Sequence, residues 1–128
     1  MYNEELLERN LHPEFKGALS KIVPIKLVNS SCGDELLIYL KIVQGKVTDG
    51  RFQGVGCAIS LASADCFIAS IKGKTVAEAK KMAEEFKKMI LGEERTFKLG
   101  EAEIMECVSR MPARVKCAEL TWKSLEML

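Results

Sequence analysis

The chain has 128 residues, enough for one domain with an apolar core that needs no staples. Its 19 basic and 18 acidic residues leave a net charge of +1, without the basic excess a nucleic-acid binder uses against phosphate. No apolar run approaches the roughly 20 residues of a membrane span, and Met1-Tyr-Asn-Glu-Glu5 lacks the regions of a secretory signal. Five cysteines, an odd number, argue against a disulfide framework, so a cytoplasmic protein with reduced thiols is expected.

In chain order, residues 3–10 read as a short helix with Leu6, Leu7 and Leu11 on its apolar side, broken by Pro13 and Gly17. Residues 22–28 are β-branched and apolar, and Pro24 marks them as an edge strand. Residues 35–43 give the clearest strand, with Leu36, Ile38, Leu40 and Ile42 on one face and Leu37 and Tyr39 on the other. Gln44-Gly45 is a hairpin turn leading to a third strand over 46–53, in which Asp49-Gly50 predicts a bulge or a second turn.

Residues 58–71, rich in Ala, Ser and Leu, predict a helix. Thr75-Val-Ala-Glu78 is a capping box that opens another, with an apolar stripe of Val76, Ala79, Met82, Ala83, Phe86 and Met89-Ile90 and a stop at Gly92. Lys72, Lys74, Lys80, Lys81, Lys87 and Lys88 with Glu84 and Glu85 read as a solvated face. A charged loop over 93–100, a short helix over 101–108 and a last helix entered at Pro112 complete the chain; Val115, Ala118, Trp122 and Leu125 share a face of the last helix. The order predicts a single α+β domain over 1–128, with a three-stranded antiparallel sheet packed against several helices on one side.

Three cysteines and an aspartate stand at transitions between these elements. In Asn29-Ser-Ser-Cys32-Gly-Asp34, an extended Cys-x-Asp projects both side chains to one side, and Gly33 allows a sharp turn. Cys57, after the thin loop Gly54-Val-Gly56, begins a helix, where the dipole and free N–H groups stabilise a thiolate. Cys117 follows Arg114 and Lys116, whose charges favour the same form. If folding gathers these four, three thiolates and a carboxylate surround one ion, a set suited to zinc, Cu(I) or an iron–sulfur cluster. The carboxylate, a harder ligand than its neighbours, points to a site that opens.

The spacing alone matches no local zinc-finger pattern, and the absence of Cys-x-x-Cys ranks a thiol redox enzyme last. Asp34 also reads as a turn residue before a strand. Cys66 and Cys107, inside predicted helices, are expected to be structural thiols. His12 is expected at a surface or cap, Met82, Met89, Met105 and Met111 as core fillers, and Trp122 in the core.

The flanking residues add to this. Asn29-Ser-Ser-Cys32-Gly-Asp34, Gly54-Val-Gly-Cys57-Ala-Ile-Ser-Leu-Ala-Ser-Ala64 and Met111-Pro-Ala-Arg-Val-Lys-Cys117-Ala-Glu-Leu-Thr-Trp122, in that order, resemble the U-type iron–sulfur cluster assembly proteins, the family of IscU, SufU and the NifU N-terminal domain. Tyr2 and the Pro13…Gly17 segment look familial too. The resemblance implies a site of Cys32, Asp34, Cys57 and Cys117 holding zinc or a [2Fe–2S]-type cluster. It implies a cysteine desulfurase, a pyridoxal-phosphate enzyme, as the partner that delivers persulfide sulfur, and downstream cluster acceptors or carriers.

Lys116 replaces the histidine that the IscU branch has before the last cysteine, the Leu-Pro-Pro-Val-Lys motif is missing, and 93–100 looks like an insertion. All three features resemble the SufU branch. By that analogy Cys32 is the persulfide acceptor and Arg114 tunes the site, making the chain a zinc-dependent sulfurtransferase; the IscU analogy makes it a non-enzymatic scaffold. The reading from another class is a small zinc-stabilised interaction module without sulfur-transfer chemistry.

Overall fold

The computed structural model describes residues 3–30, 33–94 and 99–128. Helix α1 (Glu4–Leu11) precedes strands β1 (Ile25–Asn29), β2 (Asp34–Val43) and β3 (Lys46–Val55), which form an antiparallel sheet in the order β1-β2-β3. Helices α2 (Ala58–Ile71) and α3 (Val76–Ile90) follow. A 3-10 segment (Gly100–Arg110), a 3-10 turn (Pro112–Arg114), helix α4 (Val115–Glu119) and a final 3-10 stretch (Leu120–Met127) close the chain. This is the α+β arrangement the sequence predicts.

Strand β2 alternates as expected: Leu36, Ile38 and Leu40 are buried against the helices, while Leu37 and Tyr39 are half-exposed on the far face. Gln44 and Gly45 both take positive φ, 51° and 75°, the geometry of a tight hairpin whose twist suits its strands. The bulge lies one residue earlier than Asp49-Gly50: Lys41 pairs with Asp49 and Ile42 with Val47, which leaves Thr48 as the extra residue. Gly50 has its own purpose. A Cβ there would stand 3.0 Å from Ile68, so the missing side chain lets α2 lie close on the sheet.

Several expectations need correction. β1 begins at Ile25 rather than residue 22, because Pro24 cannot donate to the ladder, and Val23 is left exposed. Of the three leucines assigned to the inner side of α1 only Leu6 is buried; Leu7 and Leu11 are 40% and 69% exposed. Glu85, read as part of the solvated face of α3, is buried, with Lys88 Nζ at 3.3 Å. The helix expected over 101–108 is a longer 3-10 segment, and the last helix is α-helical only around Cys117. Residues 95–98 of the expected insertion and Tyr2 lie outside the described residues.

Two buried devices fix the frame around the site. Trp122 lies between Phe67 of α2 and Phe86 of α3, with ring centroids at 4.8 and 4.5 Å, and ties the C-terminal stretch to both helices. The fully buried Asp65 accepts from Arg9 at 2.9 Å and from the Phe15 backbone N–H at 2.7 Å, fastening α1 and the segment after it to α2. That segment then covers the edge of β3, where Phe52 N–H donates to Phe15 O and Gly17 N–H to Phe52 O.

Candidate metal centre

The sheet order brings three distant stretches to one end of the molecule. Asn29 pairs with Asp34 as β1 turns into β2, and Glu35 pairs with Val55 as β3 ends. Asp34 is therefore in the last row of the sheet, beside the loop that leads from β3 into α2. Glycine makes this closure possible. Gly54 has φ +139°, and a Cβ on it would overlap the carbonyl oxygen of Glu35.

Cys57 is the N-cap of α2, in extended conformation with φ −79° and ψ 171°, and its side chain makes no capping hydrogen bond. The sulfur is thus left available at the positive end of the helix dipole. Cys117, fully buried, is the third residue of α4, and Asn29 Nδ2 donates toward its sulfur at 3.9 Å. Arg114, half-buried, ends the 3-10 turn just before α4.

Ligand atoms of Asp34, Cys57 and Cys117 lie within 4.8 Å of one another, the one such group among the described residues. Asp34 is fully buried although it is a carboxylate. Its Oδ1 accepts from the Cys57 backbone N–H at 3.1 Å and from the Ser60 hydroxyl at 3.2 Å. Burying a carboxylate is costly without such partners, so this position is more than a turn before a strand. Two sulfurs and one oxygen converging at this range suit a thiophilic ion with tetrahedral preference, zinc or cluster iron, rather than Mg²⁺ or Ca²⁺. Gly56 keeps the cradle open, since a Cβ there would overlap the Ser60 hydroxyl and stand 2.8 Å from Asp34 Oδ1.

Cys32 lies outside the described residues, between Asn29 and Asp34 in sequence. The remaining cysteines are elsewhere. Cys66 is fully buried in α2, and burial pushes its thiol up to about 12. Cys107 is buried in the 3-10 segment, where its sulfur accepts from Asn3 Nδ2 at 3.5 Å. His12 is exposed at the end of α1 and belongs to no such group.

The sequence reading missed Ser60 and Asn29. Ser60 carried a faint signal, because a hydroxyl three residues after a helix start faces back toward the first turn. Asn29 carried none until its register with Asp34 was known.

An α+β domain whose sheet end, helix cap and C-terminal helix offer thiol and carboxylate donors to one point is a metal- or cluster-handling domain by architecture. The NifU-like N-terminal domain profile matches residues 1–123, and the chain belongs to that family. It is 37% identical to the zinc-dependent sulfurtransferase SufU of Bacillus subtilis (strain 168), an alignment covering 98% of this chain and 87% of that protein. It is 41% identical to the iron–sulfur cluster assembly scaffold protein IscU of Thermotoga maritima, covering 98% and 90%. In three dimensions it superposes with a TM-score of 0.91 on a SUF-system scaffold protein of Fervidobacterium islandicum, described as putative, with 37% identity and coverage of 98% and 94%.

Proposed function

We propose that this chain serves iron–sulfur cluster biogenesis as a sulfur acceptor. It receives persulfide sulfur from a cysteine desulfurase at Cys32, beside a metal centre formed by Cys32, Asp34, Cys57 and Cys117. The convergence of Asp34, Cys57 and Cys117 within 4.8 Å carries this reading. The similarity to a sulfurtransferase named as zinc-dependent supports the metal. Zinc, when bound, holds cysteines as thiolates and adds folding energy.

In the transfer step the Cys32 thiolate attacks the terminal sulfur of the partner's persulfide. A new S–S bond forms at Cys32, the old S–S bond breaks, and the partner's cysteine leaves as a thiolate, so no outside oxidant or reductant is required. Gly33, next to Cys32 in sequence, is exposed and has φ +74°, a backbone that bulkier residues rarely adopt. Arg114 offers a fixed positive charge near the last cysteine, suited to an anionic persulfide. The reaction belongs in a reducing compartment, the cytoplasm, where thiols persist. Among the described residues no helix is long and apolar enough to cross a membrane.

A second reading rests on the similarity to a scaffold protein: the same residues receive a [2Fe–2S]-type cluster as cargo and hand it on. Anaerobic reconstitution with iron, sulfide and desulfurase separates the two. Retained zinc with faster desulfurase turnover supports the acceptor; a stable visible chromophore supports the scaffold. Cys32→Ser is expected to abolish the turnover enhancement while the far-ultraviolet circular dichroism stays unchanged. Undiminished turnover removes Cys32 as the acceptor. Unfolding on chelation with no effect on any desulfurase leaves only a zinc-stabilised module.

A further inference from the structure

Ser60 is fully buried on the first turn of α2, with two oxygens in reach of its hydroxyl: Asp34 Oδ1 at 3.2 Å and the Cys57 carbonyl at 3.0 Å. Both accept, and a serine hydroxyl has a single hydrogen to give. Its one hydrogen is therefore divided between the aspartate and the helix turn. The other donor to Asp34 Oδ1, the Cys57 backbone N–H, is fixed by the helix start. Gly56 confirms how tight the pair is, because there is no room for a Cβ between the Ser60 hydroxyl and Asp34 Oδ1.

We infer that Ser60 is a positioning residue: its hydroxyl holds the Asp34 carboxylate in the orientation from which it binds metal. Hydrogen bonds to a ligating carboxylate fix its orientation, and losing one typically weakens a metal site by about 10- to 100-fold. The inference rests on the metal-centre reading above and not on sulfur transfer.

The test is a double-mutant cycle on the full chain, read as zinc affinity in competition with a chromogenic chelator. Ser60→Ala is expected to lower affinity by about 10- to 100-fold. In an Asp34→Ala background the same substitution is expected to change nothing further. With Co²⁺ as probe, Ser60→Ala shifts the ligand-field bands of the Asp34-containing protein and leaves those of Asp34→Ala unmoved. Gly56→Ala, which forces the pair apart, is expected to show the same dependence on Asp34, and it carries the test if Ser60→Ala does not fold.

An unchanged zinc affinity in Ser60→Ala overturns the inference. So does an equal loss with and without Asp34, which marks a general packing defect, and so does a parent chain that takes up no zinc. If the cycle shows coupling while Cys32→Ser leaves desulfurase turnover intact, the sulfur-acceptor reading falls and the role of Ser60 stands.

Discussion

Cys57 and Cys66 lie on the same helix, nine residues apart in sequence, in opposite settings. Cys57 caps α2, half-exposed, with Asp34 and Cys117 within reach of its sulfur. Cys66 faces inward with no exposure, next to the Arg9–Asp65 pair, and its thiol is held protonated by burial. Each end also has a buried aspartate. Asp65 is matched by the guanidinium of Arg9 and by a backbone N–H, and its task is to hold α1 in place. Asp34 Oδ1 accepts from a backbone N–H and from a serine hydroxyl at the site itself. The same residue types thus make a ligand site at the helix start and a clamp two turns further on; the donors around them make the difference.

The largest expected effect breaks the contrast at its chemical end. A zinc site supplies roughly 12 kcal/mol from four ligands, so losing one costs about 3 kcal/mol, or a hundredfold and more in affinity. Cys57→Ser should show that loss in the chelator competition. Cys66→Ser should leave zinc affinity unchanged while lowering stability, because it buries a hydroxyl in an apolar setting. Equal zinc loss in both would erase the distinction between the two ends of α2.

Breaking the clamp comes next. Arg9→Ala leaves Asp65 a fully buried carboxylate that still accepts from the Phe15 backbone N–H, and removing one member of a buried pair costs about 3 kcal/mol or more. Arg9 itself keeps some solvent contact, which discounts the expected value to about 2 to 3 kcal/mol by urea unfolding. Zinc affinity should not follow. A parallel fall in both would mean that α1 and the metal end form one cooperative unit.

The thiol of Cys66 gives a smaller effect with a definite sign. Its folded value is raised from 9.0 to about 12, with burial as the first cause. Below pH 9 the thiol is protonated in both states and its contribution is complete. Between 9 and about 12 the unfolded chain sheds the proton and the folded chain keeps it, so stability falls as pH rises. The stability advantage of the parent over Cys66→Ala should shrink by about 1 kcal/mol between about pH 9 and pH 10. A constant advantage would mean that the helix opens readily around this residue.

Much of this was open to inspection in the chain. The alternation of Leu36, Ile38 and Leu40, the Gln44-Gly45 turn, the bounds Ala58–Ile71 and the Thr75–Glu78 capping box are local signals, and the structure follows them. The meeting of Asp34 and Cys57 could be anticipated because one begins a strand and the other caps a helix, and elements of a small sheet share their ends; Cys117 joins them from inside α4. What stayed hidden depends on register or on long-range pairing. The bulge at Thr48 and the contact of Asn29 with Cys117 follow from strand alignment. The Arg9–Asp65 clamp joins residues 56 positions apart with no periodic sign. The exposure of Leu7 and Leu11 depends on how α1 is set against its neighbours, which the helical pattern could not specify.

The smallest effect concerns the same substitution as the largest, with the metal absent. The N-cap of a helix favours Ser, Thr, Asp or Asn, whose oxygen accepts a free N–H of the first turn, and cysteine is a poor substitute. Position 57 has the capping backbone conformation but no side-chain cap bond. In metal-free protein, Cys57→Ser should therefore be more stable than the parent by about 0.5–1 kcal/mol, read as a higher unfolding midpoint in urea at unchanged slope. The parent should regain the lead once zinc is added, because the ion adds free energy to the folded state that the serine variant cannot collect. A metal-free variant less stable than the parent would show that the Cys57 sulfur already contributes to packing. That outcome would bring the two cysteines of α2 closer together than their surroundings imply. The expected crossing of the two stabilities, with and without zinc, would show that this helix start gives up a better cap for the sake of a ligand.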